Sequence, residues 1–212
     1  MSNKDKLITQ ETALTGRDEK MLITELHYIN QTDLTAEKPT GSKEVLLGLG
    51  CFWGAERVFW QLDGVISTSV GYSGGYTPNP TYQEVCSGET GHAEVVRVIF
   101  DPNQLSLQEL LVVFWEKHDP TQGMRQGNDI GTQYRSVIFT EDANDLTIAE
   151  QSKATYQQAI GESLSKNITT ELAVMSDYYL AETYHQQYLA KNPQGYCGIG
   201  GTGVCFPPSL SE

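Results

Sequence analysis

Apolar residues are unevenly spread along this chain. Residues 1–42 are polar and weakly periodic, with Met21-Leu22-Ile23 as the one apolar cluster and Lys38-Pro39-Thr40-Gly41 as a break. They read as an extension lying loosely on a body that starts near Lys43. The run Val45-Leu46-Leu47-Gly48-Leu49 predicts a buried strand over 44–50. A helical pattern follows over 54–62, with Val58 and Leu62 on one face and Asp63-Gly64 as its end. Residues 65–72 alternate as a strand does. A short helix over 82–86 sits between the turn-rich stretches 76–80 and 87–91.

Residues 92–100 carry Val95, Val96, Val98, Ile99 and Phe100, all strand formers, and both faces are mostly apolar. That places this strand inside a sheet. Ser106-Leu107-Gln108-Glu109 is a capping box, and Leu107, Leu110, Leu111, Phe114 and Trp115 then recur at helical spacing. The polar stretch 119–134 is long for a loop inside a compact body, which marks it as functional or disordered. Next come a strand over 135–140, a helix over 141–162 with Leu146, Ala149, Tyr156 and Ile160, a strand over 169–175, and a helix over 181–189. The tail from Lys191 has five glycines between Gly195 and Gly203 and no periodicity. This order predicts an α/β (α+β) protein with helices layered on a sheet. Three regions result: a polar extension, 1–42; a catalytic α/β body, 43–190; and a glycine-rich tail, 191–212.

Composition narrows the function. A net charge of −13 and a pI near 4.6 argue against a nucleic-acid partner, which needs a basic stripe. No apolar run approaches the roughly 18 residues of a membrane span. The first 25 residues hold no continuous apolar core of a secretory signal. Four cysteines are too few to staple a secreted scaffold of this length. The expected compartment is a reducing cytoplasm, where cysteines are catalytic, redox-active or metal-binding.

The strand–glycine–helix junction Gly50-Cys51-Phe52-Trp53-Gly54 puts Cys51 at a helix N-terminus, where the dipole favours an anion and lowers a thiol pKa. Cys51 is the candidate nucleophile; a small buried thiol is the plain alternative. Glu94 enters an apolar strand, and a carboxyl in a dry sheet keeps its proton and can act as an acid; a rim glutamate in water is the alternative. Cys197 and Cys205 lie in the flexible tail and suit relayed disulfide exchange. Zinc binding or unrelated buried thiols are the other readings, and zinc would need four ligands. Cys86 reads as a packing residue, and His185 as a helix-packing histidine. Two further functions fit Cys51: acyl transfer with His92 or His118 as base, or a non-enzymatic thiol switch.

Four segments together, Gly50-Cys51-Phe52-Trp53-Gly54, Thr90-Gly91-His92-Ala93-Glu94, 126–136 and Tyr196-Cys197-Gly198-Ile199-Gly200-Gly201, resemble peptide methionine sulfoxide reductase A in its long bacterial form. The resemblance spans about 43–205. It implies a two-layer sandwich on a mixed central sheet, with flanking helices and a coiled C-terminal arm. It implies Cys51 as nucleophile, Phe52 and Trp53 as the pocket for the sulfoxide methyl, and Glu94 as proton donor. Tyr82 and Tyr134 match phenols of the same pocket, and Asp129 a polar residue of that site. Cys197 matches the resolving cysteine and Cys205 a second recycling cysteine. The implied substrate is the S epimer of methionine sulfoxide, free or in oxidised proteins, with thioredoxin as reductant and no cofactor or metal. A monomer acting away from membranes is expected. Thr183 stands where the family often has an acid, and residues 1–42 match none of its motifs.

Overall fold

The computed structural model describes residues 4–208. Thirteen elements build it: β1 (Lys43–Gly48), α1 (Phe52–Phe59), β2 (Val65–Ser73), α2 (Tyr82–Ser87), β3 (Ala93–Phe100), α3 (Leu107–Lys117), β4 (Arg125–Gln126), β5 (Asp129–Ile130), β6 (Val137–Thr140), α4 (Ala143–Leu164), β7 (Glu171–Val174), β8 (Tyr178–Leu180) and α5 (Tyr188–Lys191). Six strands form one sheet in the order β7-β6-β1-β3-β2-β8, antiparallel except for β6 beside β7. β3 is central, as its two apolar faces predicted. Glu94, Val96, Val98 and Phe100 alternate onto the face covered by α1, α3 and α4, while Ala93 and Val95 join Leu46, Val137 and Phe139 behind it.

Local signals decided α3. Glu109 N–H donates to Ser106 Oγ and Ser106 N–H donates to Glu109 Oε2, closing the capping box. The whole predicted stripe is buried, with Trp115 Nε1 donating to Ser152 on α4. Elsewhere the structure differs. α1 starts two residues earlier than the pattern suggests, and its buried stripe is Phe52, Ala55, Glu56 and Phe59 rather than Val58 and Leu62. The stretch 119–134 contains the small β4–β5 hairpin and a 3₁₀ turn at Thr132–Tyr134, pinned where the Gln126 side chain pairs with the Asp119 backbone.

The helix expected over 181–189 is broken. A 3₁₀ turn covers Thr183–His185, and Gln187 adopts left-handed backbone, φ 48°, before α5. The cause is buried polar bonding. The Gln186 amide donates to the Val70 and Ala181 carbonyls and accepts the Val70 N–H, prolonging the ladder along β2. A regular helix would strand those backbone groups.

Residues before β1 run across the sheet edge and α2. Arg17 makes a two-pronged pair with Glu84, at 2.6 and 2.9 Å, and Leu14 N–H donates to the Glu89 carbonyl. Further along, His27 and Leu34 are buried. Among the described residues no helix is long and apolar enough to cross a membrane.

Candidate active site

Cys51 is the N-cap of α1, so the first free N–H groups of that helix surround its sulfur. Gly50 makes the junction possible: its φ is 96°, and a side chain there would strike Gln126 at 2.7 Å. The Trp53 and Gly54 N–H groups pull the Cys51 thiol down, as a helix N-terminus should. They lose to burial and to the charges of Glu94 and Asp129, which push it far above its ordinary value. The resting sulfur is therefore a thiol, contrary to the depressed pKa the junction suggests. The helix end offers dipoles, but burial removes the water that would stabilise a thiolate.

Glu94 shares this helix start. Phe52 N–H donates to its Oε2 at 3.0 Å, while its Oε1 is buried with no partner. Burial pushes its carboxyl up to about 8, the Phe52 N–H opposing and the Asp129 charge adding. Glu94 is thus protonated at neutral pH. Tyr82 and Tyr134 are half-buried beside it: burial first, and then the Glu94 charge, raise both phenols and keep them as O–H donors. Asp129 is held by the Tyr196 hydroxyl at 3.2 Å, and burial raises its carboxyl too. The structure therefore gathers Cys51, Glu94, Tyr82, Tyr134 and Asp129 around the first turn of α1.

An aromatic cluster surrounds Phe52 and Trp53. The Phe52 ring lies 5.1 Å from His185, 5.9 Å from Tyr72 and 6.4 Å from Tyr82. Trp53 stacks on Tyr188 at 3.9 Å and donates its Nε1–H to His185 Nδ1 at 2.9 Å. His185 is more than a packing group, because it fixes the Trp53 indole. Burial pulls it down to about 4, so it is a neutral acceptor. Glu182 anchors α2 by accepting the Tyr82 N–H and the Tyr72 hydroxyl. Cys86 hydrogen-bonds Tyr82 from the same helix, and burial raises its thiol.

The glycine-rich arm packs onto this site. Cys197 lies beside Arg57, 3.0 Å from Nη2, and against Gly54. Further on, Tyr156 donates its hydroxyl to the Val204 carbonyl, Phe206 stacks on Tyr156 at 5.8 Å, and Phe206 N–H donates to Glu116. Cys205 is exposed on that α3–α4 side. The structure thus brings Cys197 to the first turn of α1 and leaves Cys205 elsewhere; all four thiols are free. A methyl at Gly54 would reach Ile199 at 2.5 Å and Cys197 Sγ at 3.1 Å. Overpacking of this kind costs about 1–3 kcal/mol, so Gly54→Ala should slow loss of free thiols after sulfoxide addition by about tenfold or more. Its melting temperature should fall by only a few degrees, because alanine's helix preference of about 1 kcal/mol offsets part of that cost; thiol titration after rapid quench checks the first point and calorimetry the second.

Sequence reasoning missed Glu56, His185 as the Trp53 partner, Tyr188 and the Arg57–Cys197 contact. Only Glu56 left a trace: it lies four residues after Phe52 and three before Phe59, on the buried stripe. Its carboxyl is fully enclosed, and burial pushes it up to about 7 against hydrogen bonds from Gln187 and Thr68.

Neither proposed base is free. His92 accepts the Gly75 N–H and donates to the Thr77 carbonyl; His118 donates to the Phe114 carbonyl and bonds Ser136. Two sulfurs converging on one helix turn, with both histidines occupied, equip a thiol oxidoreductase and not an acyl-transfer enzyme. Comparison with known proteins agrees. The peptide methionine sulfoxide reductase profile matches residues 43–202. A peptide methionine sulfoxide reductase MsrA of Vibrio parahaemolyticus is 65% identical over 210 residues, covering 99% of each chain. Methionine sulfoxide reductase A of Corynebacterium diphtheriae superposes with a TM-score of 0.86 at 42% identity, covering 95% of this chain and 99% of that one. Mxr1 from Saccharomyces cerevisiae in complex with Trx2 shares the fold, with a TM-score of 0.51 at 22% identity, covering 79% and 96%. The chain belongs to the peptide methionine sulfoxide reductase family.

Proposed function

We propose that this chain reduces the S epimer of methionine sulfoxide, free or within oxidised proteins, to methionine, and so repairs oxidised proteins. One observation carries the chemistry: the buried, unpartnered Oε1 of a protonated Glu94 beside the Cys51 thiol. An unmet buried polar atom costs about 1–3 kcal/mol, and a sulfoxide oxygen relieves that cost by accepting the Glu94 proton. The substrate methyl rests on Phe52 and Trp53, as sulfur-bound methyls do on rings. The Tyr82 and Tyr134 hydroxyls hold the oxygen, and Asp129 borders it.

Cys51 attacks the sulfoxide sulfur as its thiolate. The substrate S–O bond breaks and the oxygen ends on Cys51 as a sulfenic acid, so the substrate gains the two electrons that Cys51 loses. Cys197 condenses with the sulfenic acid, forming a disulfide and releasing water. Cys205 then attacks Cys197, frees Cys51 and leaves a Cys197–Cys205 disulfide. A thioredoxin-type dithiol reduces it. Cys205 sits across α3 and α4, so the arm must leave Tyr156 and Glu116 in that step. We place the enzyme in the cytoplasm, where such dithiols are kept reduced, and treat it as a monomer.

Cys197→Ser tests the relay. With thioredoxin as the only reductant, it should yield about one methionine per enzyme, the stoichiometry that a single sulfenic acid permits. Quantifying methionine against enzyme concentration checks this, and sustained turnover would contradict the assignment.

A further inference from the structure

The step from Phe52 to Phe59 along α1 buries one carboxylate that the proposed chemistry leaves unused. Glu56 is 0% exposed and accepts three hydrogen bonds. Thr68 Oγ1 donates to Oε1 at 3.0 Å, Gln187 Nε2 to Oε1 at 2.7 Å, and Gln187 N–H to Oε2 at 2.8 Å. The hydroxyl of Thr68 is thereby spent, so His27 must donate its Nε2–H to Thr68 Oγ1, at 3.2 Å. His27 Nδ1 in turn accepts the Ile29 and Asn30 N–H groups. Every donor in the chain points towards Glu56.

Gln187 adopts left-handed backbone, a conformation that persists in a non-glycine residue only where its surroundings enforce it. Both of its donating groups end on Glu56, and its Oε1 accepts Tyr28 N–H. Immediately beside it stand the two groups that hold Trp53: His185, which accepts the indole N–H, and Tyr188, which stacks on it. The connections form a closed loop from α1 through Glu56, Gln187 and Tyr188 to Trp53 and back to α1. α1 is also the helix that Cys51 caps.

We propose that Glu56 is a positioning residue: by clamping Gln187 it sets the distance of the Trp53 wall from Cys51 and Glu94, and so controls how well the sulfoxide is seated. This rests on the function proposed above. Glu56 touches no reacting atom, and its effect falls on binding. In Glu56→Gln, one position must become NH₂. If that is ε1, it faces the Gln187 amide; if ε2, the Gln187 N–H. Either placement sets donor against donor, with no change in volume.

The test uses the full chain, pre-reduced, in single-turnover stopped-flow with free methionine S-sulfoxide. Glu56→Gln should raise the half-saturating concentration about tenfold, and the milder Gln187→Met, which keeps the backbone donor, about fivefold. The rate at saturation should stay within about twofold, since the acid and nucleophile are untouched. Leu111→Ala, a core change on α3, should leave half-saturation unchanged. A second readout needs no activity. In protein labelled with 5-fluorotryptophan, the Trp53 ¹⁹F resonance should shift in Glu56→Gln and Gln187→Met while that of Trp115 stays; Leu111→Ala should do the reverse. Wild-type half-saturation or an unmoved Trp53 resonance in whichever of the two variants folds would overturn the proposal. So would an equal rise in half-saturation in Leu111→Ala. Failure of the wild-type chain to reduce the sulfoxide would instead remove the proposed function and leave the fluorine result to judge the clamp.

Discussion

Cys51→Ser should yield no methionine above the uncatalysed background, even with a small dithiol in excess. The reason is bond chemistry more than nucleophilicity. Sulfur can take up the substrate oxygen as a sulfenic acid. A serine hydroxyl would have to form an O–O bond, which the reaction cannot drive. The loss is therefore the whole acceleration, at least about 10⁶-fold for a typical enzyme. Fold should be kept, because serine is a good N-cap for α1. Chromatographic measurement of methionine checks the rate, and circular dichroism the fold. Methionine production at even a hundredth of the wild-type rate would remove Cys51 from the mechanism.

Glu94→Gln should lower the single-turnover rate by about 10²–10⁴-fold, the usual worth of a positioned acid. The amide still accepts the Phe52 N–H through its oxygen, so the site keeps its shape. What disappears is the proton. The pH profile gives a sharper signature. In the wild-type site the carboxyl gives up its proton near 8, while the Cys51 thiol holds its own to much higher pH. Below about pH 8 the pair carries two protons; above, it carries one. The reacting arrangement, a thiolate beside a carboxylic acid, carries one. Two negative charges in a dry pocket exclude each other, so the groups titrate as a unit. The second-order rate constant, which reports the free enzyme, should rise with pH up to about 8 and then level off. Glu94→Gln should lose that limb. An unchanged profile in the variant would show that the limb belongs to another group.

Local features of this molecule were legible from sequence. The α3 stripe and its Ser106–Glu109 cap are i, i+3, i+4 relations, complete within one helix. The glycine before Cys51 and the helix after it likewise fix where that sulfur stands. The interior position of β3 followed from its two apolar faces. The four cysteines could be counted, and the resemblance sorted them.

Other features follow from what covers a residue, and no window of sequence contains that. The helix expected over 181–189 has good local spacing, yet Gln186 and Gln187 find better partners on β2 and on Glu56, more than a hundred residues away. The parallel pairing of β6 with β7 is set by the path of α4 between them. The same holds for the site's electrostatics. Sequence placed Cys51 at a dipole that favours the thiolate; only the assembled pocket, by excluding water and setting Glu94 beside it, raised the thiol instead. Sequence thus determined which groups exist and the local geometry around each. Tertiary structure decided their protonation and their partners, because desolvation and long-range hydrogen bonds depend on neighbours brought in from elsewhere in the chain.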